Sequence, residues 1–221
     1  MGGAWPAVPQ IEDATPAKQR RAWGKVAHED RFRDQRRQLL RAAAKLASRK
    51  GYQATHVSDI VSEAGLSKTT FYEHFKSKED CFVELHRRVS SAMLRAGISA
   101  AEDAIEKGPF ETVLAVIRAM TGYVAQDPRL ADVLRDEVSA SHSAIVQERK
   151  ENQKHTIELF ITLAQRFGSA LPKEELEISS IVLVQGVIAV LPQLRKRAAG
   201  FDENLRSIAR LACRGMGLEA T

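Results

Sequence analysis

Between Gly65 and Phe75 the chain reads GLSKTTFYEHF, a run that interleaves small hydroxyl, cationic and aromatic side chains. Ser67, Lys68, Thr69 and Thr70 open a helix with groups small enough, or charged enough, to bring its backbone close to a polyanion. Lys68 can donate to guanine O6 and N7 or to a phosphate, and Thr69 and Thr70 can bond base edges or offer a methyl group to thymine. Phe71 and Phe75 stand four apart, hence on one face, and would root the helix in its own core. Tyr72 and His74 fall on other faces, with polar tips suited to phosphate oxygens. As a bare pattern, the same two residues would also suit a plain amphipathic surface. Lys78, at the start of the next helix, would sit near the same backbone beside free N–H groups. Glu73 is a poor neighbour for phosphate and should face outward, where it could accept from cytosine N4.

Such a tip needs elements that hold it. From Arg36, the residues Leu39, Leu40, Ala43, Leu46 and Ala47 recur at helical spacing, and Gly51 ends that helix. A second, short helix should open at Thr55 or His56 and bury Val57, Ile60 and Val61. Its first turn carries Thr55, His56 and Ser58, where contacts to phosphate are natural, although Thr55 could serve only as an N-cap. Gly65 breaks the second helix, Leu66 packs into the corner, and Ser67 caps the third. Ser77, Glu79 and Asp80 then suit the positive end of a following helix. Two short helices joined at Gly65-Leu66 behind an amphipathic one make a helix-turn-helix candidate, whose second helix would enter the major groove.

The remaining pattern is long helices with short punctuation. The spacing predicts helices over 81–107, 110–125, 127–135, 138–167, 173–197 and 202–216. No stretch alternates with the period of a strand, so the fold class is all-α. Cys81 and Cys213 form no disulfide framework and read as small apolar residues in a reducing cytosol. The longest apolar run, Ile181 to Leu191, is too short to span a bilayer and is interrupted by Gln185 and Gly186. The N-terminal stretch lacks the basic and apolar regions of a secretory signal, so the expected location is the cytoplasm, at the nucleoid, with no membrane partner.

Charge is unevenly placed. Residues 1–50 hold twelve Lys and Arg against five Asp and Glu, a balance of +7, while the whole chain carries +5, so the other residues sum to −2. A basic N-terminal segment ahead of a near-neutral body points to a polyanionic partner at one end. Lys18 to Arg37 concentrates eight of those bases against three acids. Residues 1–33 are expected to be a flexible basic arm lying along phosphates or in a minor groove.

Arg36 to Leu85 closely resembles the DNA-binding domain of the TetR family of bacterial transcription regulators. The matching features are the Leu39-Leu40 run with Ala42 and Ala43, Gly51-Tyr52, Ala54-Thr55, Asp59-Ile60, Ala64-Gly65-Leu66-Ser67, Phe71-Tyr72 with His74-Phe75, and Ser77-Lys78-Glu79. Val61 stands where the family usually has Ala, a mild packing change. Thr69 stands where Gly is common, so the target sequence cannot be borrowed. The resemblance implies a helix-turn-helix domain over 34–80 and a helical effector-binding and dimerisation domain over 81–221, with about nine helices in all. It further implies that Lys68, Thr69, Thr70, Tyr72, His74 and Lys78 contact a double-stranded operator, with Thr55 and Ser58 as helpers.

The family's last two helices typically pair between subunits, which implies a homodimer. Ile181, Val184, Gly186 and Ile188 on the first, and Leu205, Ile208, Leu211 and Ala212 on the second, would form that interface or else a purely intramolecular core. A small apolar or amphipathic effector would lie among Met93, Phe110, Ile117 and Met120 from one stretch, and Tyr123, Leu134, Phe160 and Leu163 from another. Each of these would serve equally as ordinary core. His142 and His155 are too far apart for a local metal pair, so no metal is expected, and no cofactor is implied. No nucleophile–base arrangement or phosphate-binding glycine loop is legible, so the chain is not read as an enzyme. The function expected is a repressor released from a pseudo-palindromic operator by its ligand. The alternatives are an activator of the same family and an effector-independent architectural or adaptor protein.

Overall fold

A computed structural model of the chain describes residues 22–126, 143–196 and 200–219. Among the described residues there are eight α-helices and no strand: α1 Ala22–Lys50, α2 Val57–Ala64, α3 Lys68–His74, α4 Lys78–Ala104, α5 Pro109–Gln126, α6 Ser143–Arg166, α7 Lys173–Lys196 and α8 Phe201–Gly215. None of them is long and apolar enough to cross a membrane. The helix expected over 127–135, the start of the one expected from 138, and Leu134 lie outside the described residues. The described residues fall into two compact units. One comprises residues 22–89 and 143–149, the other residues 90–126, 150–196 and 200–219.

In the first unit, α1 buries Leu39, Leu40, Ala43, Leu46 and Ala47, the stripe expected from the spacing. Gly51, at φ 76°, ends it with its N–H bonded to the Ala47 carbonyl at 2.8 Å. The helix starts well ahead of the apolar stripe, within the basic segment whose later part could be helical. It begins at Ala22 rather than near Arg36, so the latter part of the expected flexible arm, 22–33, is helical. Phe32 packs its ring on His74, and Arg36 turns into the interior. α1 is also tied to α2 through ion pairs of Lys45 with Glu63 and of Lys50 with Asp59, the latter at 2.7 Å.

In the second unit, α5, α6, α7 and α8 share one apolar cluster that includes Leu114, Leu159, Leu163, Leu176, Val184, Leu205 and Met216. Arg118 of α5 clasps Asp202 at the start of α8 through two bonds of 2.8 and 2.7 Å. The end of α8 follows a Schellman pattern, in which Leu218 N–H reaches the Cys213 carbonyl at 2.8 Å past Gly217 at φ 66°. A Cβ on Gly217 would also meet Leu171 Cγ at 2.9 Å, so both backbone and space demand glycine there.

Candidate nucleic-acid interface

The turn between α2 and α3 is built by backbone chemistry. Gly65 takes the left-handed conformation, φ 66° and ψ 33°, and the Leu66 N–H closes back on the Val61 carbonyl at 2.9 Å. Only glycine adopts that conformation without steric cost. Ser67 then caps α3, its Oγ accepting from the Thr70 N–H at 3.0 Å and lying 2.9 Å from the Thr70 hydroxyl. His56 leads into α2, its N–H donating to the Asp59 carboxylate at 2.8 Å. The Lys50 ammonium, and then that N–H, hold the Asp59 carboxyl below its usual range.

α3 divides its faces sharply. Phe71 and Phe75 are fully buried, with ring centroids 5.5 Å apart. Lys68, Thr69, Tyr72 and Glu73 are exposed, Tyr72 at 58% despite its size, and Thr70 is partly exposed. Ser58 on α2 is exposed as well. Lys76, which the sequence reading passed over, is exposed just beyond α3, its N–H held by Asp80 at 3.0 Å. A cation two residues before the start of a capped, acidic helix was the available signal.

Three expected contacts are corrected. His74 is buried, with its ring 4.0 Å from that of Phe32 and its nitrogens away from solvent, so it cannot grip phosphate. Burial, followed by the nearby Arg36 charge, holds its pKa below the ordinary histidine value. Thr55 is fully buried and donates through Oγ1 to the Gly51 carbonyl at 2.7 Å, so it neither caps α2 nor reaches the surface. Lys78 points its ammonium inward to the carbonyls of Tyr52 and Thr55 at 3.0 and 2.8 Å, and over the Tyr52 ring at 4.0 Å. Thr55 and Lys78 serve the same surface from behind, by fixing the loop that leads into α2, and His74 does so by packing the end of α3 on α1.

Behind α3 lies a buried ion cluster that the sequence reading also missed. Arg36 donates through Nε and Nη2 to the Glu84 carboxylate at 2.9 and 2.5 Å, and through Nη1 to the His74 carbonyl at 2.7 Å. Arg88 adds a bond to the same carboxylate at 2.8 Å. Arg36 and Glu84 were traceable as charges on otherwise apolar helix faces, beside Leu39-Leu40 and Cys81-Leu85 respectively.

In the second unit the candidate effector residues Phe110, Ile117, Met120, Phe160 and Leu163 all belong to the apolar cluster, with Met93 packed on it and Tyr123 half-buried. The expected dimer residues separate into two sets. Val184, Leu205 and Ala212 are buried in the chain's own core, the alternative to an outer face for them, and Ile208 is half-buried. Ile181, Gly186, Ile188 and Leu211 are exposed, together with Ile178, Val182 and Val190. The reason is that α7 uses Leu176, Ser180 and Val184, at helical spacing, for its interior face and remains apolar on the opposite one.

Two short helices at a glycine turn, the second capped and rooted by paired phenylalanines, define a helix-turn-helix protein. Residues 39–85 match the model of the tetR family of bacterial regulatory proteins, and this domain of the chain belongs to that family. An uncharacterized HTH-type transcriptional regulator of Bacillus subtilis, YdgC, is 31% identical over 130 residues, covering 54% of this chain and 64% of that protein. The chain spans less than two thirds of the length of the curated relatives it matches. Among solved structures, the fatty acid degradation regulator FadR of Bacillus halodurans superposes with a TM-score of 0.69 at 19% identity, covering 80% of this chain and 94% of that one. The transcriptional regulator FadR of Bacillus subtilis, in complex with stearoyl-CoA, gives 0.65 at 22% identity, covering 81% and 98%. At these identities the structural likeness establishes the fold.

Proposed function

We propose that this chain is a sequence-specific DNA-binding transcription regulator that works as a homodimeric repressor and is released from its operator by a small ligand. The observation that carries the reading is the division of α3, where Phe71 and Phe75 are fully buried while Lys68, Thr69 and Tyr72 stand in solvent on a capped, anchored tip. In the major groove Lys68, Thr69 and Thr70 would meet base edges. Tyr72, Ser58 and Lys76 would meet phosphates. The reading assigns no enzymatic activity and places the protein on chromosomal DNA in the cytoplasm.

The second copy would dock on the exposed apolar face of α7 and α8, formed by Ile178, Ile181, Val182, Ile188 and Leu211. A two-fold dimer then reads a pseudo-palindrome with half-sites about 34–36 Å apart, or a multiple of that. The effector would enter the apolar cluster around Phe110, Met120 and Phe160. Because one neighbour of the same fold holds stearoyl-CoA, long-chain acyl-CoA is the first probe to try.

The deciding experiment is selection of bound duplexes from a random-sequence pool. The expected result is one enriched pseudo-palindrome, whose complex acyl-CoA or a related amphiphile dissociates. Failure to enrich any sequence would sink the reading. Enrichment without release by any ligand would leave an effector-independent DNA-binding protein.

A further inference from the structure

α3 is a helix of only seven residues, too short to hold its own shape in water, so its orientation is imposed from outside. Its two phenylalanines fix one face, but apolar contacts are non-directional and leave its pitch free to rock. The Leu66–Val61 bond holds the turn at the start of α3, and the directional restraint at its far end comes from Arg36. We propose that Arg36 is the positioning residue of the DNA-reading helix, joining the last carbonyl of α3 to Glu84 on α4 and so setting the angle at which Lys68, Thr69 and Tyr72 are presented. This inference rests on the DNA-binding reading given above.

The geometry supports the assignment at each end. The His74 carbonyl is one of the orphan acceptors at the end of α3, where the partial negative charge of the helix collects and a cation is favoured. Nη1 of Arg36 reaches it at 2.7 Å, while Nε and Nη2 are both occupied by Glu84 at 2.9 and 2.5 Å. The guanidinium plane also lies over the Phe75 ring, 4.4 Å from its centroid. All three nitrogens of a rigid fork are therefore committed to α3 and α4 together. A lysine, being a point charge on a flexible stem, cannot reproduce that arrangement. Arg36 is only 8% exposed and Glu84 only 9%, and a buried ion pair of this kind contributes little net stability compared with an apolar substitute. What an apolar substitute would lack is direction.

The test uses the full chain, a duplex enriched by the wild-type protein from a random pool, and a scrambled duplex of the same length. Arg36→Lys and Glu84→Gln should lower the ratio of enriched to scrambled affinity by about tenfold or more, with scrambled-duplex affinity and its salt slope unchanged. Arg87→Lys is the control. It weakens a comparable fork of 3.0 and 2.7 Å to Glu148 that touches no part of α3, and it should leave the ratio alone. Hydrogen exchange adds a readout independent of DNA: the Phe75 amide, bonded to the Phe71 carbonyl at 2.9 Å, should exchange faster in the Arg36 and Glu84 variants than in the Arg87 variant. An unchanged ratio in both test variants overturns the inference, as does an equal fall in the Arg87 control. If Arg36→Lys does not fold, Glu84→Gln decides alone. If the wild type enriches nothing, the DNA-binding reading fails separately, and the exchange comparison still decides whether Arg36 restrains α3.

Discussion

Phe32 and His74 lie ring against ring, their centroids 4.0 Å apart and their planes tilted by 45°. The contact joins a stretch of α1 that precedes the family-matched segment to the last residue of α3. It anchors α1 one turn ahead of Arg36. Phe32→Ala should lower the stability of this domain by about 1–3 kcal/mol, less than a fully buried phenylalanine because the ring is only half-covered. Chemical denaturation followed by circular dichroism measures it. A change within a few tenths of a kcal/mol would show that α1 and α3 do not depend on this contact.

Burial also leaves a mark on pH dependence. Desolvation pushes the His86 pKa down to about 4, with Glu148 opposing and Arg149 reinforcing, and His74 moves in the same direction. The unfolded chain, with histidines near 6.5, therefore takes up protons before the folded one. Stability should be full above about pH 6.5, fall as pH drops toward 4, and level off for these groups below their folded values. His86→Asn should flatten the slope of urea midpoints between about pH 6.5 and 5, a window above most carboxylate titration. An unaltered slope would assign the dependence to other groups.

Lys78 and Lys68 should behave as opposites despite their common charge. Lys78 donates inward to two carbonyls at 3.0 and 2.8 Å, whereas Lys68 is exposed on α3. Lys78→Met should destabilise the domain by about 1.5–3 kcal/mol, the usual range for bonds to a charged donor. The salt slope of the folded protein's DNA binding should not change. Lys68→Ala should leave the melting temperature near that of the wild type and weaken DNA binding, reducing the salt slope by about one if its partner is a phosphate. Salt titrations with both variants would expose a reversed assignment.

Val182 and Leu211, 66% and 67% exposed, are large apolar side chains left in water on α7 and α8. Single changes to Glu at either position should leave helicity intact and convert the assembly to monomer, measured by light scattering after size exclusion. Operator binding should fall with it, because one half-site binds less tightly than two linked ones. A variant that remains dimeric would move the interface elsewhere.

Much of this arrangement was legible in the sequence because it depends on local rules. Gly65, Ser67 and the spacing of Phe71 and Phe75 determine the turn, the cap and the anchor from neighbours within a few residues. His74 and Lys78 were misplaced because their surroundings come from distant segments, whereas Thr55 turns to a local carbonyl that a cap reading overlooks. Gly51 lies four residues before Thr55, but Phe32 and Tyr52 come from α1 and the loop beyond it to meet His74 and Lys78. The Arg36–Glu84 bond spans 48 residues, and no local period announces it. For the same reason the apolar run of α7 carries no sign of which residues face inward, and that had to come from the packing.

The separation of faces on α3 has a consequence for how such a protein can change. The groups that hold the helix, Phe71, Phe75 and the Arg36 bond to the His74 carbonyl, are distinct from those it exposes. Lys68, Thr69, Tyr72 and Glu73 can therefore be exchanged as a set without disturbing the mount. Target preference is free to drift, or to be transplanted from one chain to another, while the scaffold stays as it is.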